Sequence, residues 1–162
     1  MSERCNGSTS SSLFISDIAL ACIDALNLTY NHSNFESKKK TIMICDNEPD
    51  VLQLFGLMFG SRYDVIMVHS GDECIEKYIE ETNRGNKIHL ILLDYKLGDI
   101  QGDSVARKIK ERNGTKIILI SAYDVDDGLV KELENGNYIS KYIRKPIETD
   151  LLTDLVAEII KN

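Results

Sequence analysis

The sequence predicts an α/β fold in which helices cover both faces of a doubly wound, five-stranded parallel sheet. Two observations support this. From residue 41 onward, five short runs rich in Ile, Val and Leu alternate with five segments whose apolar residues recur at helical spacing. Strands that alternate with helices are joined by crossovers, so they run parallel and are buried on both faces.

The apolar runs give the strand positions. The predicted strands are Thr41–Cys45, Asp64–Val68, Ile88–Leu93, Lys116–Ile120 and Ile139–Ile143. Their β-branched composition is typical of buried strands.

The helical segments lie between the runs. The predicted helices are Asp50–Phe59, Asp72 to about Asn83, Ser104–Arg112, Val125–Glu134 and Glu148–Ile160. In the first, second and last of these, the residues expected to face the core are Val51, Leu54, Phe55 and Met58; Cys74, Ile75, Tyr78 and Ile79; and Leu151, Leu152, Leu155, Val156 and Ile159.

Residues 1–40 differ from the rest and are expected to form a flexible extension to a domain at 41–162. They contain a polar run at Ser8–Ser12 and a second polar stretch at Asn31–Ser37. Between these runs, apolar residues at helical spacing predict one short amphipathic helix at 13–28. A short helix without packing partners is only marginally stable, so no specific role is assigned to it.

Composition excludes several classes of function. Hydrophobic residues make up 43% and charged residues 28% of the 162 residues, and the formal charge is −7. An acidic chain is a poor match for non-specific nucleic-acid binding. Asp17 and Asp24 interrupt the apolar stretch at 13–28, which argues against a secretory signal or membrane span. The four cysteines form no C-x-x-C pair, so we expect reduced, mostly buried thiols in a cytoplasmic protein.

Ligands of such folds bind beyond the carboxyl ends of the strands, near the point where strand order reverses. The segments that end the predicted strands are Asp46-Asn47-Glu48, His69-Ser70, Asp94-Tyr95-Lys96, Ser121-Ala122 and Arg144-Lys145-Pro146. No glycine-rich fingerprint follows the first strand and no G-x-x-x-x-G-K-[ST] motif occurs, which removes the nucleotide-binding versions of the fold.

Four of these residues suggest phosphoryl chemistry. Asp46 and Asp94 would converge at one edge, where their like charges favour a hard cation such as Mg²⁺. Ser121 and Lys145 would supply a hydroxyl and a positive charge for phosphoryl oxygens. Each residue alone also fits a cap, a turn or a solvated surface, and Pro146 alone fits a helix start.

Residues from about Thr41 to Lys161 resemble the receiver domain of two-component response regulators, the CheY-like group. The resemblance lies in IMICDNEPDVLQLF, ILLDYKLGDIQG, ILISAY and YIRKPIE. It implies a flavodoxin-like (βα)5 receiver fold with Mg²⁺ as cofactor. The roles it implies are Asp94 as phosphoacceptor, Asp46 in the metal pocket, Lys96 as a metal ligand through its backbone carbonyl, Ser121 as the switch hydroxyl, Tyr142 as the rotating aromatic, Lys145 as the phosphoryl-binding lysine and Pro146 after a cis peptide bond.

Two positions depart from the family pattern. The second residue of the acidic pair is Asn47, which offers an amide oxygen to a metal but no charge. We therefore expect Mg²⁺ binding to be weakened but retained. Glu48 is a further candidate ligand, or else a first-turn acid stabilised by the helix dipole. Gly98 stands where the loop after the acceptor usually carries proline, which should loosen the loop.

The resemblance implies a response regulator that accepts a phosphoryl group from a sensor histidine kinase. Because the sequence ends after the last predicted helix, a stand-alone regulator is expected. The only reactions it is expected to catalyse are its own phosphorylation and dephosphorylation. Its output would be partner binding or onward phosphotransfer, through the face formed by the fourth helix, fifth strand and fifth helix. A homodimer formed on phosphorylation is a further candidate partner state; nucleic-acid and membrane partners are not expected.

Two other functions remain open. One is a pseudo-receiver, which keeps the fold as a protein-interaction module without phosphorylation and of which Asn47 would be a first sign. The other is a Mg²⁺-dependent phosphohydrolase of the dehalogenase-like class. Those enzymes carry a second aspartate two residues after the nucleophile, and here that position is Glu48.

Overall fold

The computed structural model describes residues 38–112 and 114–161. The predicted helix at 13–28 and both polar stretches of the extension up to residue 37 lie outside the described residues. Within the described ranges, no helix is long and apolar enough to cross a membrane.

The described residues form one five-stranded parallel sheet, as the alternating pattern predicts. The strands are β1 (Thr41–Cys45), β2 (Asp64–Val68), β3 (Ile88–Asp94), β4 (Lys116–Ser121) and β5 (Lys141–Arg144). Their order in the sheet is β2-β1-β3-β4-β5, and every neighbouring pair is parallel. The predicted fold class is confirmed.

Five helices connect and follow the strands. They are α1 (Pro49–Gly60), α2 (Gly71–Asn83), α3 (Gly102–Lys110), α4 (Asp127–Asn135) and α5 (Thr149–Lys161). The core has two layers because alternate residues of each strand point to opposite faces of the sheet. Ile42 and Ile44 pack with α1 and α5, whereas Met43 and Cys45 pack with α2, α3 and α4.

In two helices one residue predicted to face the core is exposed, whereas the other predicted residues are buried or packed against the core. In α1 the buried residues are Leu52, Phe55 and Phe59, and Leu54 is half exposed. In α5 the buried residues are Leu152, Val156 and Ile160, and Leu151 is exposed. Both helices carry apolar residues at two phases of the 3.6-residue repeat, so periodicity alone does not choose between the faces.

Some element boundaries also differ from the prediction. The fifth strand starts at Lys141, because Ile139 belongs to the turn that ends α4: its N–H group donates to the carbonyl oxygen of Leu133. The third helix starts at Gly102, two residues earlier than predicted. Glycine is a poor helix former, so the sequence offers no reason to place the start there. The fourth helix starts at Asp127, after Asp126 caps it by accepting from the N–H group of Leu129.

Candidate functional site

The sheet topology brings two acidic side chains together. β1 and β3 are neighbours at the centre of the sheet, where strand order reverses. Asp46 follows β1 directly and Asp94 is the last residue of β3. Both are buried, with 2% and 7% of their surface exposed. Buried carboxylates need a charge partner or hydrogen bonds to remain ionised.

Lys145 supplies the charge partner. This residue follows β5, and its Nζ atom lies 2.9 Å from Oδ2 of Asp46 and 2.9 Å from Oδ1 of Asp94. Its backbone is fixed by a hydrogen bond from its N–H group to the carbonyl oxygen of Ser121 at 2.7 Å. The peptide bond that follows, to Pro146, is cis. One ammonium group therefore links three strand ends.

The remaining carboxylate oxygens accept backbone hydrogen bonds. The N–H group of Glu48 donates to Oδ1 of Asp46 at 2.9 Å, and that of Lys96 donates to Oδ2 of Asp94 at 2.7 Å. Each bond joins an aspartate to the residue two positions later, the pattern of an Asx turn. Both side chains are thereby held in a fixed orientation toward Lys145.

The buried environment shifts the ionisation of this pair. Burial raises the pKa of the Asp94 carboxyl above its ordinary value, and this effect outweighs the hydrogen bond from Lys145. Burial alone would lower the pKa of Lys145, but its hydrogen bonds to Asp94 and Asp46 raise it further than burial lowers it. Lys145 therefore stays protonated, and the ionised form of Asp94 is less stable than it would be in water.

Ser121 lies at the end of the neighbouring strand but is turned toward its own loop. Its hydroxyl donates to the carbonyl oxygen of Tyr123 at 3.0 Å and accepts from the N–H group of Tyr123 at the same distance. Among the described residues, Ser121 forms no hydrogen bond with Asp94. The structure thus gathers Asp46, Asp94 and Lys145, while Ser121 is adjacent but engaged elsewhere.

Tyr123 is a site residue that the sequence reasoning missed. Its carbonyl oxygen accepts from Ser121 and, at 3.3 Å, from the hydroxyl of Tyr142. The Nζ atom of Lys96 lies 4.3 Å from the centre of its ring. Tyr123 therefore connects the loop after β3, the loop after β4 and strand β5. Its position just after the polar end of β4 was the signal available in the sequence.

Asn47 and Glu48 are both exposed at the mouth of the site. Gly98 has a φ of 90°, a left-handed conformation that favours glycine, and a Cβ atom there would lie 4.0 Å from Nδ2 of Asn47. The loop after β3 thus passes close to the position at which the acidic pair is incomplete.

Comparison with protein-family models identifies the family of this chain. The family model described as the response regulator receiver domain matches residues 42–157. The chain belongs to this family. Receiver domains are parts of two-component response regulators, and Asp46, Asp94, Ser121 and Lys145 all lie within the matched range.

The curated relatives are transcriptional regulators. An uncharacterized transcriptional regulatory protein, YclJ of Bacillus subtilis (strain 168), is 28% identical over 122 residues, which cover 75% of this chain and 51% of that protein. The receiver chain spans about half the length of the curated relatives it matches. These relatives give no support to the expectation that a nucleic-acid partner is absent.

Solved structures share the fold. The signal receiver domain of a putative LuxO repressor protein from Vibrio parahaemolyticus is 25% identical, with a TM-score of 0.66 over 76% of this chain and 91% of that one. CheY in a CheX–CheY–BeF3–Mg complex from Borrelia burgdorferi is 21% identical, with a TM-score of 0.66 over 74% and 88% of the two chains.

Proposed function

We propose that this receiver accepts a phosphoryl group on Asp94 from a sensor histidine kinase, in a reaction that depends on Mg²⁺. The observation that carries the proposal is the placement of Lys145 within 2.9 Å of two buried carboxylates at adjacent strand ends. An isolated structural ion pair needs only one carboxylate. A second buried acid beside the first fits a site that handles a cation and phosphate oxygens.

The transfer requires little covalent chemistry from the protein. A carboxylate oxygen of Asp94 attacks the phosphorus of a phosphohistidine; the new P–O bond forms as the P–N bond breaks, and the imidazole leaves with the electron pair of that bond. Lys145 stabilises negative charge on the phosphoryl oxygens. The hydrogen bond from Lys96 orients the attacking group.

The oxygen donors present fit Mg²⁺. The carboxylates of Asp46 and Asp94, the amide oxygen of Asn47 and the backbone carbonyl of Lys96 would hold the ion, with Glu48 as a further candidate. Mg²⁺ commonly takes one or two carboxylates and keeps several waters. In the part of the chain that the structure describes, no cluster of three or more His, Cys, Asp or Glu side chains could hold a metal ion, so the proposed ligand set relies on amide and backbone oxygens beside the carboxylates. When bound, the ion would neutralise charge on the carboxylates and the phosphoryl oxygens.

The same site would signal through Ser121 and Tyr142. A phosphoryl group that draws in the Ser121 hydroxyl would break its bond to the carbonyl of Tyr123, the group to which Tyr142 also donates. The face of α4, β5 and α5 would then change shape and bind a downstream protein or a second copy of the chain. NMR of the Tyr142 ring with and without beryllofluoride tests this. Tyr63, on α1's side of the sheet, is the control. An unchanged Tyr142 signal would contradict a switch through this residue.

Intact-mass measurement tests the acceptor. The protein is incubated with acetyl phosphate and Mg²⁺, with the Asp94→Asn variant alongside. We expect one added phosphoryl group in the parent protein and none in the variant. Equal phosphoryl gain in both proteins would reassign the acceptor.

Asn47 favours the pseudo-receiver as a second candidate, because it removes one charge from the metal pocket. In that case no phosphoryl group would be gained even at high Mg²⁺, while the fold and its protein-binding face would persist. The mass experiment therefore separates the two candidates.

A further inference from the structure

A cavity of about 720 Å³ opens at the edge of the sheet opposite Asp94. It is bordered by residues that precede or begin β1, β3 and β4 and by the carboxyl ends of α3, α4 and α5. Its volume lies within the range of small-molecule sites, roughly 300–1,000 Å³. None of the residues placed in the phosphoryl site lines this cavity.

The charge of the lining is opposite to that of the chain. Among the described lining residues Glu134 is the one acid, whereas the chain as a whole carries −7. The basic residues are Lys40, Lys87, Lys110, Lys116 and Lys161, with His89 between them. Within the described part of the chain, none of these lysines forms an ion pair. The cavity therefore concentrates positive charge that carboxylates do not balance.

Helix ends account for only part of this charge. Each helix carboxyl terminus carries about −0.5 of a charge, so three termini and Glu134 offset about half of the five lysines. Lys40 and Lys116 cap the carboxyl end of α5. Their Nζ atoms donate to the carbonyl oxygens of Ile160 at 2.8 Å and Ile159 at 2.6 Å, respectively. The remaining positive charge exceeds what capping the helices requires.

His89 lies in the cavity wall among these lysines. Its Nδ1 atom accepts a hydrogen bond from the N–H group of Thr41 at 3.0 Å. Burial lowers the pKa of His89, and the charges of Lys87 and Lys40 lower it further. The lysine charges thus disfavour a further positive charge on the His89 ring.

We propose that this cavity binds a compact, soluble anion that carries several phosphate groups. Lysine ammonium groups act as point charges that suit phosphate oxygens. No Phe, Tyr or Trp stands among the described lining residues, so a nucleobase would find no ring on which to stack. None of the exposed large apolar side chains of the described residues lines the cavity, which disfavours a lipid surface.

Titration with inorganic triphosphate in Mg²⁺-free buffer tests the site, with calorimetry for affinity and ¹⁵N NMR for location. The test variant is Lys87→Gln/Lys110→Gln; both lysines are exposed, so the fold should persist. The control, Lys108→Gln/Lys131→Gln, removes the same charge from exposed lysines outside the cavity. We expect shifts at the amides of Lys87, His89 and Lys116, and affinity reduced about tenfold or more in the test variant only.

Three outcomes would overturn the proposal. They are equal affinity in the two double variants, shifts confined to the loops around Asp94, or tighter binding of a hexaglutamate peptide than of triphosphate, which would indicate an acidic protein partner. A fourth outcome, co-sedimentation with vesicles containing phosphatidylinositol bisphosphate without binding of triphosphate, would also overturn it and would indicate a lipid headgroup instead. The proposal does not depend on Asp94, so it stands or falls separately from phosphorylation.

Discussion

Lys145 is the residue that allows two carboxylates to stay buried side by side. Its side chain is 20% exposed, against 3% for Asp46 and 9% for Asp94. Without its charge, the two acids would repel each other in a medium that screens them poorly. Burying three charges costs folding stability, but it leaves a group of charges that can bind a cation or a phosphoryl group.

The variant Lys145→Met should therefore lower the free energy of unfolding by about 3 kcal/mol in Mg²⁺-free buffer, because it leaves two uncompensated buried charges. Urea denaturation measures the change. Adding Asp94→Asn to Lys145→Met should restore more than half of the loss. Lys141→Met, which removes an exposed lysine at the start of β5, is the control; a Lys145→Met protein as stable as this control would contradict the expectation.

Asn47→Asp should tighten Mg²⁺ binding. The gain from one unit charge at ligand distance is about 4 kcal/mol before losses, at an effective dielectric near 20. Repulsion from Asp46 and Asp94 cancels much of this, so we expect the dissociation constant to fall about tenfold. Calorimetric titration with Mg²⁺ measures it. Asn83→Asp adds the same charge at the far end of α2 as a control, and an unchanged Asn47→Asp affinity would mean that position 47 does not reach the metal.

The meeting of Asp46, Asp94 and Lys145 could be predicted from sequence because strand polarity sends the carboxyl ends of parallel strands to one edge. The part played by Tyr123 could not. Its contacts to Ser121 and Tyr142 use its backbone carbonyl, which every residue type possesses. Residue type therefore carries no signal for these contacts, and only the position of Tyr123 just after the polar end of β4 pointed to it.

Strands and helices were predictable where a single sequence pattern determines them. The strands were located by composition because both faces of the sheet are buried. In α1 and α5 one residue each was predicted wrongly: Leu54 and Leu151 are 50% and 63% exposed, whereas Phe55 and Leu152, predicted together with them, are buried. Only packing against a particular sheet residue selects between two apolar phases of a helix.

A contact between elements ties the loop after Asp94 to helix α2. The carboxylate of Asp99 accepts from the N–H groups of Gly71 at 3.0 Å and Asp72 at 2.9 Å. Partial burial would raise the pKa of Asp99, but these hydrogen bonds from Asp72 and Gly71 lower it overall. The carboxylate thus acts as a helix cap supplied from a distant loop.

Asp99→Ala should lower the free energy of unfolding by about 1–2 kcal/mol and speed amide exchange at Gly71 and Asp72. Because the folded pKa lies below the unfolded value near 3.8, the contribution is complete above that pH and is lost as pH falls through the folded pKa. Denaturation at pH 7 and hydrogen exchange measure the two effects. Asp154→Ala, on the exposed side of α5, is the control, and matching losses would argue against the cap.

At the scale of the whole molecule, the parallel sheet β2-β1-β3-β4-β5 has two edges of opposite charge, one at the carboxyl ends and one at the amino ends of its strands. The carboxyl edge holds Asp46 and Asp94, and the amino edge holds the lysines of the cavity. Parallel strands impose this polarity, since every loop after a strand lies at one edge and every loop before a strand at the other. One sheet can therefore carry a phosphoryl site and an anion site without direct contact between them.

Among the described residues, the two core layers are built from positions 42 to 160, and residues 39–162 form one compact unit. A fragment of residues 39–162 should therefore fold by itself, with a free energy of unfolding on the order of 5–10 kcal/mol. Urea transitions followed by circular dichroism and by tyrosine fluorescence should coincide, as expected for two-state unfolding. In the control fragment Leu93→Asp, a charge is placed at a fully buried position of β3, and cooperative unfolding should disappear. A broad transition in the unsubstituted fragment, differing between the two probes, would mean that the core needs residues outside 39–162.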